Sequence, residues 1–255
     1  MALWARLFVC FALVGCTDPS PLPEMQSGET GRVVRIIDGD ALVLDTGQSV
    51  RLVSVQAPVL NVRDGVPEPY SGESARLLED LALGRRVQLF YPGITRDRYD
   101  RALAHVMTID GLGPEIWLNK TMIERGAARV RLYPSTAARG RDLLAAEAAA
   151  RESQTGLWQR SAYKVRDAAS LNASDRGFML VRGTLGPAVP FDRAARFAPA
   201  CERLLVDSEL RLAVRSDAGS ACGLSDGSVI EVRGFVSKGR LELTHPFHIE
   251  IEAGD

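Results

Sequence analysis

The feature that most constrains this chain is a series of short β-branched segments separated by tight turns. The segments at 33–37, 41–44 and 50–55 are rich in Val, Ile and Leu, and they are interrupted by DGD at 38–40 and DTGQ at 45–48. Glycine and aspartate in such short connections are typical of hairpin turns. The sequence therefore predicts a meander of antiparallel strands in this part of the chain.

Helical and strand patterns then alternate. Apolar residues at helical spacing, followed by Gly84, predict a helix over 74–83. The segment 116–125, which ends before Gly126, and the alanine-rich segment 137–153 predict two further helices. Two further segments, at 87–91 and 102–109, predict strands. These elements together indicate a small β-barrel with three helices.

A second β-rich unit follows. Strand patterns occur at 178–185, 204–214, 229–236 and 241–251, with the alternation of half-buried strands. We therefore expect two folded domains. Their predicted bounds are 32–160 for the first domain, 161–174 for a linker and 175–255 for the second domain.

The N-terminal segment has the pattern of a signal peptide. One cation, Arg6, precedes an apolar run at 7–14 that is too short to span a bilayer as a permanent helix. Residues 13–16, LVGC, resemble the bacterial lipobox, whose cysteine is acylated and becomes the mature N-terminus. We expect a signal peptide at 1–15, lipid on Cys16, a flexible tether at 16–31, and a periplasm-facing location in the bacterial envelope. A plain secretory peptide is the alternative.

Cysteine usage agrees with export. Once Cys10 leaves with the signal peptide and Cys16 carries lipid, Cys201 and Cys222 remain as one pair in an oxidising compartment. We expect a disulfide between these two residues, and two separate buried thiols are the alternative. No CxxC-type cluster occurs in the sequence, so the cysteines do not indicate a zinc site.

The charge balance excludes one mode of nucleic-acid binding. The chain has 31 Lys and Arg residues against 32 Asp and Glu residues, which gives a net charge of -1. A chain that grips nucleic acid through its bulk charge is strongly basic. Any anion site must therefore be local.

Four motifs occur in an order and spacing that resemble the staphylococcal nuclease family, also called thermonuclease-like domains. They are IDGD at 37–40, RLVSVQAP at 51–58, DRYDRALA at 97–104 and GLW at 156–158. The resemblance covers about residues 31–160 and implies an OB-type five-stranded β-barrel with three helices. The second domain is similar to the small OB-like β-barrel that accompanies nuclease-like domains in some bacterial envelope proteins.

The resemblance implies calcium-dependent hydrolysis of phosphodiesters, with roles for three residues. Asp40 falls on the first of two metal-binding carboxylates. Arg51 and Arg101 fall on two arginines that clamp the phosphate with planar donors. Taken alone, each residue also has a structural interpretation, as a turn aspartate or a solvated arginine. Their joint placement predicts that all three surround one pocket.

Two positions depart from the family pattern. Gln56 stands where the family has the second metal-binding aspartate, and Val59 stands where it has the glutamate that serves as general base. An amide oxygen brings no charge to a calcium site, and valine cannot accept a proton. We therefore expect calcium binding by Asp40 and Gln56 to be weak or absent. Substitute bases in the next loop are Asp64, Glu68 and Glu73, which are more simply interpreted as solvated carboxylates.

Three functions fit these observations. We favour an envelope lipoprotein with a degenerate nuclease-like domain, which keeps a phosphate or anion site and binds nucleic acid, a phosphorylated ligand or another protein. An active calcium-dependent nuclease with a substitute base is the first alternative. A structural envelope lipoprotein is the second. Degradation of DNA, with and without calcium and compared with an Asp40→Ala control, separates the active nuclease from the other two.

Overall fold

The computed structural model describes residues 22–60, 65–111, 113–191 and 198–252. The expected signal peptide, Cys16 and Asp64 lie outside these ranges. Within them the chain forms two β-barrels and three α-helices. No helix in the described part is long and apolar enough to cross a membrane.

The first barrel is closed by five strands, as expected. The first six strands of the chain, of which all but β4 belong to the barrel, are β1 (Gln26–Asp38), β2 (Ala41–Leu44), β3 (Ser49–Leu52), the short β4 (Val55–Gln56), β5 (Arg86–Tyr91) and β6 (Ala102–Thr108). Around the barrel the order is β1-β2-β3-β6-β5, and β4 lies outside it. The β3–β6 pair is parallel and the others are antiparallel. This is the arrangement of an OB-type barrel.

Three helices cover the first barrel at the predicted places. They are α1 (Ser71–Ala82), α2 (Leu118–Glu124) and α3 (Gly140–Glu152). Between the last two lies β7 (Arg129–Val130), which pairs with β4. Leu78, Met122 and Leu143, one from each helix, are fully buried in the same core as the barrel strands. The apolar spacing that predicts these helices therefore marks the faces that contact the barrel.

The second barrel repeats the topology of the first. Its strands, in chain order, are β8 (Arg166–Asp167), β9 (Gly177–Val189), β10 (Cys201–Leu205), β11 (Arg211–Val214), β12 (Val229–Ser237), β13 (Arg240–Leu243) and β14 (Ile249–Ile251). The ring runs β9-β10-β11-β13-β12 and closes through the β12–β9 pair. Its third and fifth strands, β11 and β13, are parallel, as β3 and β6 are in the first barrel. Short β8 and β14 extend the ring at β9 and β12.

Several boundaries differ from the sequence-based expectation. Strand β1 begins at Gln26, inside the predicted tether, because its first half pairs with β5. The predicted linker contains β8, which pairs with β9. The strand expected over 204–214 is two strands, separated by a turn in which Asp207 has a φ of 56°. The one expected over 241–251 is interrupted by a 3₁₀ turn at Pro246–His248.

The expected disulfide between Cys201 and Cys222 is confirmed. It joins the start of β10 to the 3₁₀ segment Ser216–Gly223 that follows β11. The two cysteines are 21 residues apart, and both contact the apolar core of the second barrel. The bond therefore ties the connection between two strands to the barrel wall.

The second barrel contacts the first domain through the outer face of β12 and through the 3₁₀ turn before β14. Glu231 accepts two hydrogen bonds from Arg151 of α3, at 2.7 and 2.9 Å. Arg233 forms a buried ion pair with Glu147 of the same helix. His248 Nε2 accepts a hydrogen bond of 2.8 Å from the backbone N–H of Leu132, and burial lowers the pKa of His248 to about 3, which keeps the ring neutral. The second barrel is thus fixed against the segment that follows β7.

Candidate functional site

A cavity of about 660 Å³ opens at one end of the first barrel. Its walls come from β3 and β4, from the loop before β6 and from the segment after β7. Its charged lining residues are Arg51, Arg96, Arg98, Arg101, Arg131 and Asp97. We call this site the arginine cavity, since five guanidinium groups and one carboxylate line it.

Arg51 is held at the cavity by Asp40. Its Nη1 donates to Asp40 Oδ1, and its Nη2 donates to the backbone oxygen of Val55 at 3.4 Å. Asp40 is 1% exposed, and its Oδ2 accepts a hydrogen bond of 2.8 Å from the N–H of Ala57. Burial raises the pKa of the Asp40 carboxyl, and the Arg51 guanidinium beside it opposes that rise.

The turn that carries Asp40 requires glycine at position 39. A Cβ on Gly39 would lie 1.8 Å from Ser74 Oγ and 2.8 Å from the Cβ of Ala57. The turn between β1 and β2 therefore lies directly against α1 and the segment after β4. Because of this close contact, the Asp-Gly-Asp sequence buries the Asp40 carboxylate beneath Arg51.

Arg101 is positioned by Asp97 within the loop before β6. Its Nε and Nη2 approach Asp97 Oδ2 at 2.8 and 2.7 Å, and its backbone N–H donates to Oδ1 at 3.0 Å. Burial raises the pKa of Asp97, but the hydrogen bonds from Arg101 and from the N–H of Tyr99 lower it by a larger amount. The pKa of Asp97 therefore lies below its ordinary value. The carboxylate therefore stays ionised and fixes the loop around Arg101.

Two arginines in the cavity form no ion pair with the residues that the structure describes. Arg98 lies 4.7 Å from the ring centroid of Tyr99. Arg131 donates from Nη1 to Gln56 Oε1 at 2.9 Å and lies 5.1 Å from the Tyr133 ring. The other three pair with carboxylates: Arg51 with Asp40, Arg96 with Glu29 and Arg101 with Asp97. The cavity therefore has an excess of positive charge, which favours an anion.

The structure brings Arg51 and Arg101 to the wall of one cavity, with Asp40 directly behind Arg51. Gln56 lines the same cavity. Val59 does not line it, and its side chain is exposed. Of the three residues predicted to surround one pocket, Arg51 and Arg101 line this cavity, whereas Asp40 lies behind Arg51 and is not part of the lining. The chemical roles of these residues stay predictions.

The substitute bases differ in their surroundings. Glu68 Oε2 accepts a hydrogen bond of 2.9 Å from the backbone N–H of Val59, which brings a carboxylate next to the position of the missing base. Glu73 lies 3.8 Å from Arg160 in an exposed ion pair. Neither carboxylate lines the arginine cavity. Of the two that the structure describes, Glu68 contacts the backbone of Val59, and both of these residues lie outside the lining of the cavity.

The residues at the cavity do not fit a calcium ion. Calcium takes six to eight oxygen ligands, with ionised carboxylates among them. Here Asp40 already accepts from a guanidinium and a backbone N–H, and Gln56 Oε1 accepts from Arg131. The described residues contain no group of three or more His, Cys, Asp or Glu side chains placed to hold a metal ion. A cation would have to displace guanidinium groups from both oxygen donors.

Sequence reasoning missed Arg131, Arg96 and Arg98. The last two lie within or next to the DRYDRALA motif, in which only Arg101 received a role. Arg131 follows β7 and reaches the cavity because the N–H of Arg131 donates to the oxygen of Ser54 at 3.1 Å. The local sequence around Arg131 offers only the alternation Arg129-Val130-Arg131. The residue that Arg131 contacts in the cavity, Gln56, lies 75 positions earlier in the sequence.

Comparison with known proteins identifies relatives of the first barrel. The family model for the staphylococcal nuclease homologue matches residues 49–160. The chain is 32% identical over 137 residues to the thermonuclease of Staphylococcus intermedius, which covers 52% of this chain and 78% of the relative. It is 32% identical over 109 residues to the thermonuclease of Staphylococcus hyicus, covering 41% of this chain and 61% of that protein. An uncharacterized endonuclease of Escherichia coli O157:H7 is 34% identical over 131 residues, which cover 50% of this chain and 76% of that protein.

Proposed function

Because this chain belongs to the staphylococcal nuclease family, we propose that its first barrel binds the phosphodiester groups of nucleic acid in the arginine cavity, with impaired or absent calcium-dependent hydrolysis. The observation that carries the proposal is the set of five guanidinium groups around one opening. Arginine donors match the oxygens of a phosphate in geometry and in charge. The phosphate would replace the solvent at Arg98 and Arg131 and share Arg51 and Arg101 with their carboxylates.

The same residues support the proposed impairment of hydrolysis. Gln56 supplies no charge for a metal ion, and Arg131 adds a positive charge beside it. Val59 cannot take a proton from water. The cavity thus keeps the groups that bind a phosphate and lacks those that activate its attacker.

An active nuclease is the second candidate, and one contact favours it. Glu68 Oε2 lies 2.9 Å from the backbone nitrogen of Val59, so a carboxylate nine residues further along the chain contacts the position of the missing base. In that case the Glu68→Gln variant would lose hydrolysis and keep nucleic-acid binding. If the wild-type protein hydrolyses no DNA, either in the presence or in the absence of calcium, this second candidate is wrong.

The binding proposal predicts a site-specific loss of affinity. We expect Arg101→Ala to weaken binding of a single-stranded DNA decamer by about tenfold or more, since hydrogen bonds to charged groups are worth about 1.5–3 kcal/mol. The slope of log affinity against log salt should also become shallower, by about 0.7. Fluorescence anisotropy of a labelled decamer, at several salt concentrations, measures both quantities.

Arg35→Ala is the matched control for this measurement. Arg35 is an exposed residue of β1 that does not line the cavity, so its replacement removes the same charge elsewhere on the barrel. Equal losses in the two variants would mean that bulk charge carries the binding, and the proposed site would be wrong. Thermal unfolding of both variants confirms that they are folded.

We propose in addition that the mature chain is attached to the bacterial envelope by lipid on Cys16, on the strength of the LVGC sequence at 13–16. The Cys16→Ser variant should appear in the soluble fraction or remain unprocessed, whereas the wild-type protein sediments with membranes. Cys10→Ser, inside the expected signal peptide, is the control and should still sediment. A processed Cys16→Ser protein that remains in the membrane pellet would contradict the anchor.

A further inference from the structure

The guanidinium of Arg131 lies among aromatic rings from both barrels. The ring centroids of Tyr133 in the first barrel and of Phe178 and Phe235 in the second lie 5.1, 5.5 and 5.8 Å from its Cζ. Phe178 is buried, but Tyr133 and Phe235 are 41% and 42% exposed. The wall of the arginine cavity therefore continues, through Arg131, onto an exposed aromatic ring of the second barrel.

The contact between the barrels fixes the position of Phe235. Residues 231, 233 and 235 project from the outer face of β12, while Ile230, Val232 and Val236 lie in the barrel core. Glu231 and Arg233, the first two of these residues, form ion pairs with side chains of α3. Phe235 is the next residue on the same face, and its ring lies 5.8 Å from the guanidinium of Arg131 at the cavity wall.

We propose that Phe235 forms a base-stacking subsite through which the second barrel extends the arginine cavity into a binding surface for single-stranded nucleic acid. The proposal rests on the proposed function, because the phosphates of that strand would lie in the cavity. Exposed aromatic rings beside a cationic groove are the features with which proteins bind single strands, and each stacked base contributes substantially to affinity. Paired bases of a duplex are stacked on each other and cannot use such a ring.

The neighbours of Phe235 favour a base over a phosphate at this position. Glu242 of β13 is directly opposite Phe235 in the antiparallel pair, and its side chain is exposed. A carboxylate there repels a phosphate, whereas an uncharged base can stack on the exposed part of the ring that the Arg131 guanidinium does not cover. The phosphates and the bases of the strand are thus assigned to different barrels.

The experiment compares two probes that differ in the presence of bases. We expect Phe235→Ala to weaken binding of the oligonucleotide dT10 by about tenfold, which lies within the range measured for loss of one stacked base. Binding of 2-deoxyribose 5-phosphate, which has no base, should be unchanged. Phe235→Trp should keep the affinity for dT10 and lose indole fluorescence when dT10 binds. Ile251→Ala, which removes an exposed apolar side chain from β14, is the control and should behave as wild type.

Other outcomes overturn the inference, and they separate it from the proposed function. If Phe235→Ala leaves dT10 binding unchanged while Arg101→Ala weakens it, the second barrel contributes no subsite and the cavity proposal stands. If Phe235→Ala weakens both probes equally, Phe235 only positions Arg131, and the stacking proposal is wrong. If the wild-type protein binds neither probe, both proposals are wrong. Tighter binding of a duplex than of dT10 also excludes stacking.

Discussion

Replacement of Glu147 by alanine is expected to lower the free energy of unfolding by about 3–5 kcal/mol, since it removes one partner of a buried ion pair. Glu147 is 1% exposed and Arg233 is 6% exposed. The Oε2 atom of Glu147 accepts from Arg233 Nη1, and its Oε1 accepts from the N–H of Val130 at 2.7 Å. The variant would leave a guanidinium and a backbone N–H buried without this acceptor. Urea denaturation followed by circular dichroism measures the loss.

Two further variants make this prediction specific. Glu152→Ala removes an exposed carboxylate from the end of the same helix and should change stability by no more than about 0.5 kcal/mol. The double variant Glu147→Leu/Arg233→Met should recover part of the loss, because buried ion pairs are often replaced by apolar pairs at little cost. Recovery should be incomplete, since the N–H of Val130 still lacks its acceptor. A Glu147→Ala protein as stable as Glu152→Ala would mean that the interface does not depend on this pair.

The ion pair also affects the proposed binding site. Val130 belongs to β7, and Arg131 directly follows it at the edge of the cavity. The carboxylate of Glu147 thus contacts both the second barrel, through Arg233, and the strand β7, which Arg131 directly follows. Stability of the interface and geometry of the cavity are therefore coupled through one buried side chain.

The sequence predicts elements whose signals are local. Turn residues at 38–40 and 45–48 mark the first hairpins, and apolar spacing marks the three helices, so the first barrel could be predicted from short segments. That these strands close into an OB-type barrel was predicted from the resemblance of the four motifs to the nuclease family. For the second barrel, alternation predicted the strands but not the splits at Asp207 and at Pro246–His248, where turns interrupt apolar runs.

Features that depend on distant contacts could not be predicted in this way. Residues 26–31 are polar and glycine-rich, which is typical of a flexible segment. They nevertheless belong to the barrel, because their backbone pairs with that of β5. Arg131 and Gln56 meet across 75 positions, and Arg233 and Glu147 across 86. No local pattern indicates such pairs. The predicted roles of Arg51 and Arg101 came from the family motifs, whereas the cationic character of the whole cavity emerges only from the fold.

The Gln56→Asp/Val59→Glu double variant is expected to raise the calcium-dependent rate of DNA hydrolysis by more than the product of the two single effects. Gln56→Asp alone adds a charged ligand without a base, and Val59→Glu alone adds a base without a metal carboxylate. General-base catalysis contributes about 10²–10⁴-fold where the other groups are present. Residues that act as a unit are strongly non-additive, so the gain should appear only when both changes are made.

Arg131 limits this gain, and its replacement provides a sharper test. The guanidinium that donates to Gln56 Oε1 in the wild-type protein would form an ion pair with an aspartate at position 56 and compete with calcium. Adding Arg131→Ala to the double variant should therefore lower the calcium concentration needed for half-maximal rate. Initial rates against calcium concentration, for the wild type, both singles, the double and the triple, measure these effects. Val59→Gln in place of Val59→Glu is the control, because it has the size of glutamate but cannot act as a base. A wild-type rate equal to that of a thermonuclease relative under the same conditions would contradict the prediction and favour Glu68 as the base.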